Sequence, residues 1–304
     1  MSVDPAGCAG RIVDIHGAAG VEWLERLPAL VACWAERWEL EVLPPFAGLS
    51  YHYVAPAVRA DGTHVVIKAS VPNAELSREI EALRYFDGEG ICRLLEGNAA
   101  QGVMLLEWVK PGTPLSDVAD DEQVTDAAVR VMRRLWRPAP VAGGEHGLAT
   151  VAEWVADLDE LRSTFGGGYG PFPPALVDRA AALFAELLST ASEATLIHGD
   201  MHPQNILKSE RETWLAIDPK GVVGDPLYDV ATFVNSVPEE LPGAQRLAFV
   251  DRRVRQVAEA LGLGRRRILD WAYAHAVLAG WWTYEDHGHG WEHAFGMAES
   301  LAAL

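Results

Sequence analysis

Leu196–Asp229 reads LIHGDMHPQNILKSERETWLAIDPKGVVGDPLYD, and the spacing of its polar residues decides how the chain is read. Asp200 and Asn205 stand five positions apart in a proline-containing loop, and Asp218 ends the short apolar run Trp214–Ile217. An aspartate so placed can accept the proton of an attacking hydroxyl. An amide and a second carboxylate then supply the hard oxygen ligands that Mg²⁺ prefers beside nucleotide phosphates. His-Gly-Asp alone recurs by chance; followed by Asn205, an apolar hairpin-like segment and Asp-Pro-Lys, it is a specific signal. The plain structural alternative is a polar turn between strands, with its carboxylates capping a helix. Residues far upstream decide between the two.

Val54–Arg59 and the run Val65–Lys68 flank the turn Asp61-Gly62, a hairpin signal. Lys68 ends the second run. Eleven residues later comes Glu79, inside AELSREIEALRYF, where Leu76, Ile80, Leu83 and Phe86 recur at helical spacing. Glu79 flanks that apolar face and can reach back to Lys68; Glu75, one turn earlier on the same flank, is the alternative partner. The ordinary reading of Lys68 is an exposed lysine at a strand end.

With these parts in place, the chain resembles the aminoglycoside phosphotransferase branch of the protein-kinase-like superfamily. Within it, the chain is most similar to the streptomycin 6-kinase and hydroxyurea phosphotransferase group. The finer match rests on WLAIDPKGVVGDPLYDVATFV (Trp214–Val234), with Asp-Pro-Lys where protein kinases carry Asp-Phe-Gly. It rests also on Trp23-Leu24, Leu27-Pro28 and Trp38-Glu39-Leu40 ahead of the first strand. The resemblance spans essentially the whole chain, strongest over 196–234 and weak after about 240.

It implies an α+β, two-lobed protein-kinase-like fold. Residues 1–109 would form a small nucleotide-binding lobe with an antiparallel sheet plus a helix. Residues 110–304 would form a larger, mainly helical lobe with the catalytic loop and acceptor-binding helices. It also implies roles: Asp200 the base, Asn205 and Asp218 the Mg²⁺ ligands, Lys68 the phosphate-binding lysine and Glu79 its helix partner. Leu105–Val109 matches the hinge, so that the backbone of Glu107, Trp108 and Val109 would meet the purine of ATP or GTP. His198 would pack beneath the loop. One departure stands out. The segment Phe46–Tyr51 has a single glycine where protein kinases have a glycine-rich loop, so Ser50 and Tyr51 meet the phosphates there or form a plain turn.

Composition sets the boundaries. A chain of 304 residues can bury a substantial core. No apolar run approaches the ~20 residues that span a bilayer. The start, MSVDPAGCAG, has neither the basic nor the apolar region of a secretion signal. Cys8, Cys33 and Cys92 are scattered without metal or disulfide spacing, which fits a reducing cytoplasm. A net charge of −18 disfavours nucleic acid and anionic membranes and suits a cationic small molecule, or simply keeps the protein soluble. Nothing in the pattern suggests obligate assembly, and a monomer is expected.

The stretch Lys110–Pro114, which cannot continue a strand, marks the lobe boundary. Before it, a helical segment is expected near 20–37 and strands near 92–95 and 102–108. After it, helices are expected over 121–135, 151–163, 174–190, 226–236, 243–260 and 265–284, with a flexible loop at 166–171. Two stretches are candidates for an acceptor pocket. Glu153, Asp157 and Glu160 fall on one face of the helix expected over 151–163. They form either a solvated stripe or a site for guanidinium groups. In Trp281–His293, Trp281 and Trp282 either pack on a sugar face or belong to the core, with Glu285 and Asp286 placed to accept from a cation. His287, His289 and His293 lack the companions and rigidity of a metal site. Asp225, a natural N-cap, and Asp229, in the first turn of the helix it opens, read as structural braces of the catalytic loop, and Lys220 either meets a phosphate or pairs with an acidic neighbour. The activity expected is transfer of a nucleotide γ-phosphate to a hydroxyl of a streptomycin-type aminoglycoside. The alternatives are a kinase of hydroxyurea or an endogenous sugar or amino alcohol, and a non-catalytic nucleotide-binding protein.

Overall fold

The computed structural model describes residues 8–48, 51–139, 147–191, 194–238 and 241–304. The chain opens with α1 (Ala9–Arg37), β1 (Leu40–Val42), β2 (Tyr53–Arg59), β3 (His64–Ala69), α2 (Ala74–Phe86), β4 (Leu94–Asn98) and β5 (Val103–Glu107). These five strands form one antiparallel sheet in the order β1-β2-β3-β5-β4.

Strand alternation gives that sheet two apolar faces. Val65, Ile67 and Ala69 of β3, with Val103 and Leu105 of β5, pack against Ile12, Trp23, Leu27, Val31 and Trp34 of α1. Val66 of β3, with Met104 and Leu106 of β5, points the other way, onto Leu76, Ile80 and Leu83 of α2. Lys68 has the parity of Val66, so its side chain emerges on the α2 face. The α1 helix is longer than expected. It begins at Ala9 and bends at Gly17 (φ 54°, ψ −131°), a conformation open to glycine at little cost. Trp34 and Trp38 tie it to the sheet's far edge, donating to Gln101 (2.9 Å) and Glu96 (2.8 Å). The expected bounds of α2 hold, because Asn73 caps its start by accepting from Leu76 N at 2.8 Å.

The chain continues with β6 (Pro111–Pro114), α3 (Asp121–Leu135), β7 (Arg137–Pro138), β8 (Ala149–Thr150), α4 (Val151–Val155), α5 (Asp157–Thr164) and α6 (Pro174–Ser189). Then come β9 (Thr195–Ile197), β10 (Ile206–Ser209), β11 (Trp214–Ala216), β12 (Val222–Gly224), α7 (Leu227–Asn235), α8 (Gly243–Leu261), α9 (Arg265–His287) and α10 (Glu292–Ala302). The small sheets β11-β10-β6 and β7-β9-β12-β8 carry the loops of interest. Helix α9 runs through the middle of the helical part, packed by α6, α7 and α10. It is buried nearly all round from Ile268 to Trp281. The core beneath α2 is continuous with that of these helices.

Several expectations need correcting. Lys110–Pro114 does end β5, but Pro111–Pro114 then forms a strand of its own on the edge of a second sheet, where prolines need not donate. The helix expected over 151–163 is two, meeting at Ala156. The glycine run at 166–171 is a loop, as expected, and is crossed by turn hydrogen bonds. In it, Gly167 N reaches Arg162 O (2.8 Å) and Phe172 N reaches Tyr169 O (3.0 Å). Helix α10 was not expected at all. Among the described residues no helix is long and apolar enough to cross a membrane.

Candidate active site

Strand β9 delivers His198, Gly199 and Asp200 into a loop that is anchored from below. The buried carboxylate of Asp229, in the first turn of α7, accepts from His198 N (3.0 Å), Gly199 N (2.8 Å) and Trp136 Nε1 (3.0 Å). Burial pushes Asp229 above the usual carboxylate range, against His198 and these donors. The brace expected at Asp229 is thus made by direct hydrogen bonds rather than by a helix dipole. Asp225 accepts from Leu227 N (2.9 Å) and Arg267 (2.7 Å). The imidazole of His198 links Asp200 N (3.2 Å) to Ile217 O (2.7 Å), one ring nitrogen accepting and the other donating. That is the bonding of a neutral ring, and burial lowers its pKa. His198 therefore couples the loop of Asp200 to the strand leading to Asp218. Gly199 (φ 84°) has no room for a side chain: a Cβ would lie 2.7 Å from Val222 and 2.9 Å from Trp154.

A third of the Asp200 side chain stays open to the cleft. Asn205, in the turn Pro203–Asn205, donates its amide to Asp200 O (3.0 Å) and Oδ2 (3.2 Å). His202 Nε2 lies 3.4 Å from the same Oδ2. Burial opposes ionisation of Asp200, but His202 and Lys220 outweigh it and hold its pKa well below the usual range. His202 was missed by the sequence reading; standing two positions after Asp200, it was visible, but nothing in the spacing says which way its ring turns.

Asp218 adopts a left-handed backbone (φ 57°) that few side chains tolerate. Its side chain keeps 43% of its surface open, and its Oδ1 accepts from Lys68 Nζ at 3.2 Å. Lys68, fully buried, also donates to both oxygens of Glu79 (2.7 and 2.9 Å). Burial works against the ammonium, yet Asp218 and Glu79 raise its pKa. The choice between Glu79 and Glu75 is settled: Glu75 pairs instead with Lys220. A further residue the sequence reading missed is His52, whose Nδ1 lies 3.0 Å from Ser70 Oγ; burial and Lys68 drive its pKa down to about 3.

The residues fit the expected cofactors in kind. Asp218 presents an open carboxylate, and Asn205, its NH₂ turned to Asp200, has its oxygen left for a hard cation. Lys68 offers charge beside them. At the hinge, Glu107 N donates to Arg93 O (2.9 Å), and its carboxylate takes Arg211 at 2.9 Å on each oxygen. The Glu107 N–H is thus already engaged and is withdrawn from the purine contact expected of it. Trp108 packs against Phe46 and His64, under the Lys110 ammonium. Ser50 lies outside the described residues.

The acceptor candidates divide. Glu153 closes a capping box, its Oε2 accepting from Thr150 N (2.7 Å) while its own N–H bonds Thr150 Oγ1 (3.1 Å), so one of its two carboxylate oxygens is already committed to the start of α4. Trp281 is buried among Phe165, Phe172 and Tyr284 and presents no face to a sugar. The remaining carboxylates gather. Burial raises the pKa of Glu285, and the charges of Glu160, Asp157 and Asp286 add to the rise. Trp282 donates to Asp157 (2.7 Å) and stands edge-on to Trp154 (5.7 Å). Trp154, the neighbour of Gly199, links this acidic group to the loop of Asp200. His287 and His289 rings lie 6.3 Å apart, and among the described residues no three His, Cys, Asp or Glu side chains form a metal set.

Residues 37–287 match the profile of the aminoglycoside/hydroxyurea antibiotic resistance kinases. The chain belongs to that family. It is 33% identical to the streptomycin 6-kinase of Streptomyces glaucescens over 93% of this chain and 91% of that one. It is 35% identical to the hydroxyurea phosphotransferase of Kitasatospora aureofaciens, over 89% and 77%. Among solved structures, the choline kinase of Streptococcus pneumoniae superposes with a TM-score of 0.64 at 13% identity, covering 92% of this chain and all of that one. An aminoglycoside phosphotransferase solved with ADP and hygromycin B gives 0.58 at 14%, over 88% and 97%. The fold of this antibiotic resistance kinase is therefore the two-lobed protein-kinase-like one, and its activity is ATP-dependent phosphoryl transfer to a small-molecule hydroxyl.

Proposed function

We propose that this kinase transfers the γ-phosphate of Mg·ATP to a hydroxyl of a cationic, streptomycin-type aminoglycoside. Residues 1–109 carry the nucleotide and 110–304 the acceptor. The observation that carries the reading is the convergence of Lys68, Glu79 and Asp218 from distant parts of the chain, beside an Asp200 held ionised.

Asp200, held ionised at neutral pH, orients the acceptor hydroxyl and takes its proton as the bond to phosphorus forms. Lys68, fixed by Glu79, holds the phosphate chain, while Asp218 and Asn205 would hold Mg²⁺. When bound, that ion neutralises charge on the β- and γ-phosphates. His198 and Asp229 keep the loop in register, so that most of the acceleration comes from positioning and electrostatics. Asp157, Glu160, Glu285 and Asp286 supply negative charge for guanidinium or amino groups, and Trp282 supplies a ring edge.

The second reading, a kinase of hydroxyurea, draws on the comparable identity to the hydroxyurea enzyme. The test is ADP release with Mg·ATP across streptomycin, 2-deoxystreptamine aminoglycosides, hydroxyurea and simple sugars, with Asp200→Ala as control. Turnover driven by streptomycin and lost in the variant is expected. Turnover driven by hydroxyurea alone moves the assignment to the second reading, and none with any acceptor of the panel removes the streptomycin-type assignment.

A further inference from the structure

Two glutamates, one turn apart on α2, hold two lysines in unlike ways. Glu79 and Lys68 are both buried, a fixed pair. Glu75 and Lys220 form an ion pair whose side chains keep 50% and 35% of their surface open. An exposed pair of this kind is weak and readily exchanged, whereas breaking a buried one strands a charge.

Lys220 is also unusually well aimed. Its backbone N–H donates to His198 O at 2.8 Å, which pins it to the loop bearing Asp200. The next residue, Gly221 (φ 64°), runs so close beneath α2 that a Cβ there would sit 2.5 Å from Arg78 O. The ammonium thus rests on Glu75 of α2, carried by a segment that follows Asp218 by two residues and is hydrogen-bonded to the loop of Asp200. Lys68 and Asp218 mark the donor phosphates and Asp200 marks the acceptor hydroxyl. A cation within reach of both ends lies along the path of the transferred group.

We propose that Lys220 changes partners during the reaction, leaving Glu75 in the free enzyme for the phosphoryl group in transfer; this rests on the kinase reading above. In the step, the acceptor oxygen bonds to phosphorus, the bond from phosphorus to the ADP oxygen breaks, and the hydroxyl proton passes to Asp200. Lys220 keeps its proton throughout and offsets charge on the three equatorial oxygens, where a fixed cation acts most strongly. Glu75 is the holding partner, in competition with the nucleotide.

The competition gives opposite signs to two substitutions in the full chain. Lys220→Met should lower kcat by about 100-fold or more, with Lys220→Arg restoring part of it. Glu75→Gln should tighten Mg·ATP binding several-fold, read by calorimetry. A rigid strut between α2 and the loop predicts instead that both variants weaken nucleotide binding alike. That result, or a Lys220→Met kcat within about threefold of wild type, overturns the exchange. If Lys220→Met does not fold, the sign of the Glu75→Gln effect decides. A wild type that phosphorylates no acceptor removes the kinase reading itself, whereas an active wild type with an unimpaired Lys220→Met removes only this inference.

Discussion

The catalytic loop and the acceptor-side helices are both made of carboxylates and aromatic rings, but they hold them differently. In the loop each group has fixed partners: Asp229 takes three donors, His198 uses both ring nitrogens, and Asn205 bonds Asp200 twice. On the side proposed for the acceptor, Glu285 feels the charges of Glu160, Asp157 and Asp286, which add to the rise in its pKa, and Asp157 accepts from Trp282. Chemistry common to a whole family demands sub-ångström placement, which buried hydrogen bonds supply. Recognition of a cation demands a field, which loosely gathered charges supply and a ligand completes.

That contrast can be broken, beginning with its largest expected effect. Asp200→Ala should lower kcat by about 10²–10⁴-fold, the usual worth of a general base, with Mg·ATP affinity by calorimetry close to wild type. A kcat within tenfold of wild type would mean that the loop does not carry the chemistry. Asp229→Ala leaves three buried donors without a partner and should cost roughly 3 kcal/mol or more of stability in urea unfolding. A loss under about 1 kcal/mol would show that the loop does not depend on its brace.

The third test uses His275, buried on α9 against α7. Its ring accepts from Asn235 (3.1 Å) and meets Thr232 Oγ1 (3.2 Å), and burial drives its pKa down to about 4. The folded state therefore refuses a proton that the unfolded chain takes below about 6.5. Unfolded chains then bind more protons, and stability falls as pH drops from about 6.5 towards 4, by up to roughly 3 kcal/mol. His275→Gln should flatten that part of the stability–pH curve; an unchanged slope would refute it. The smallest effect belongs to the acceptor side. Glu285→Gln should raise KM for a cationic aminoglycoside about tenfold, with kcat nearly constant and no change for an uncharged acceptor. Equal effects on both acceptors would mean that the acidic group does not act through charge.

Legibility in the sequence follows the same division. The bounds of α2 and the reach of Glu79 to Lys68 were readable from short-range patterns, a DG hairpin and a helical stripe, whereas the place of Asp218 beside them, 150 positions on, came only with the family resemblance. The choice between Glu75 and Glu79 was not readable, since both lie on one helix flank and β3 decides which faces Lys68. Trp281 and Trp282 could not be told apart, because α9 is buried nearly all round and its periodicity carries no inside or outside. Glu153 read as one of three equal carboxylates until Thr150 claimed it. Strand β6 was hidden by its own prolines, which forbid a central strand but permit an edge.

One feature of the fold bears on how such a protein can change. Strand β3 is a party wall: Ile67 and Ala69 belong to one packed compartment with α1, and Val66 belongs to another with α2. Lys68 opens only on the second side. The tryptophan-rich compartment behind can exchange one apolar filling for another of equal volume while the lysine keeps its neighbours. A change of filling in the outer half of this lobe is therefore felt as a change of stability before it is felt at the lysine.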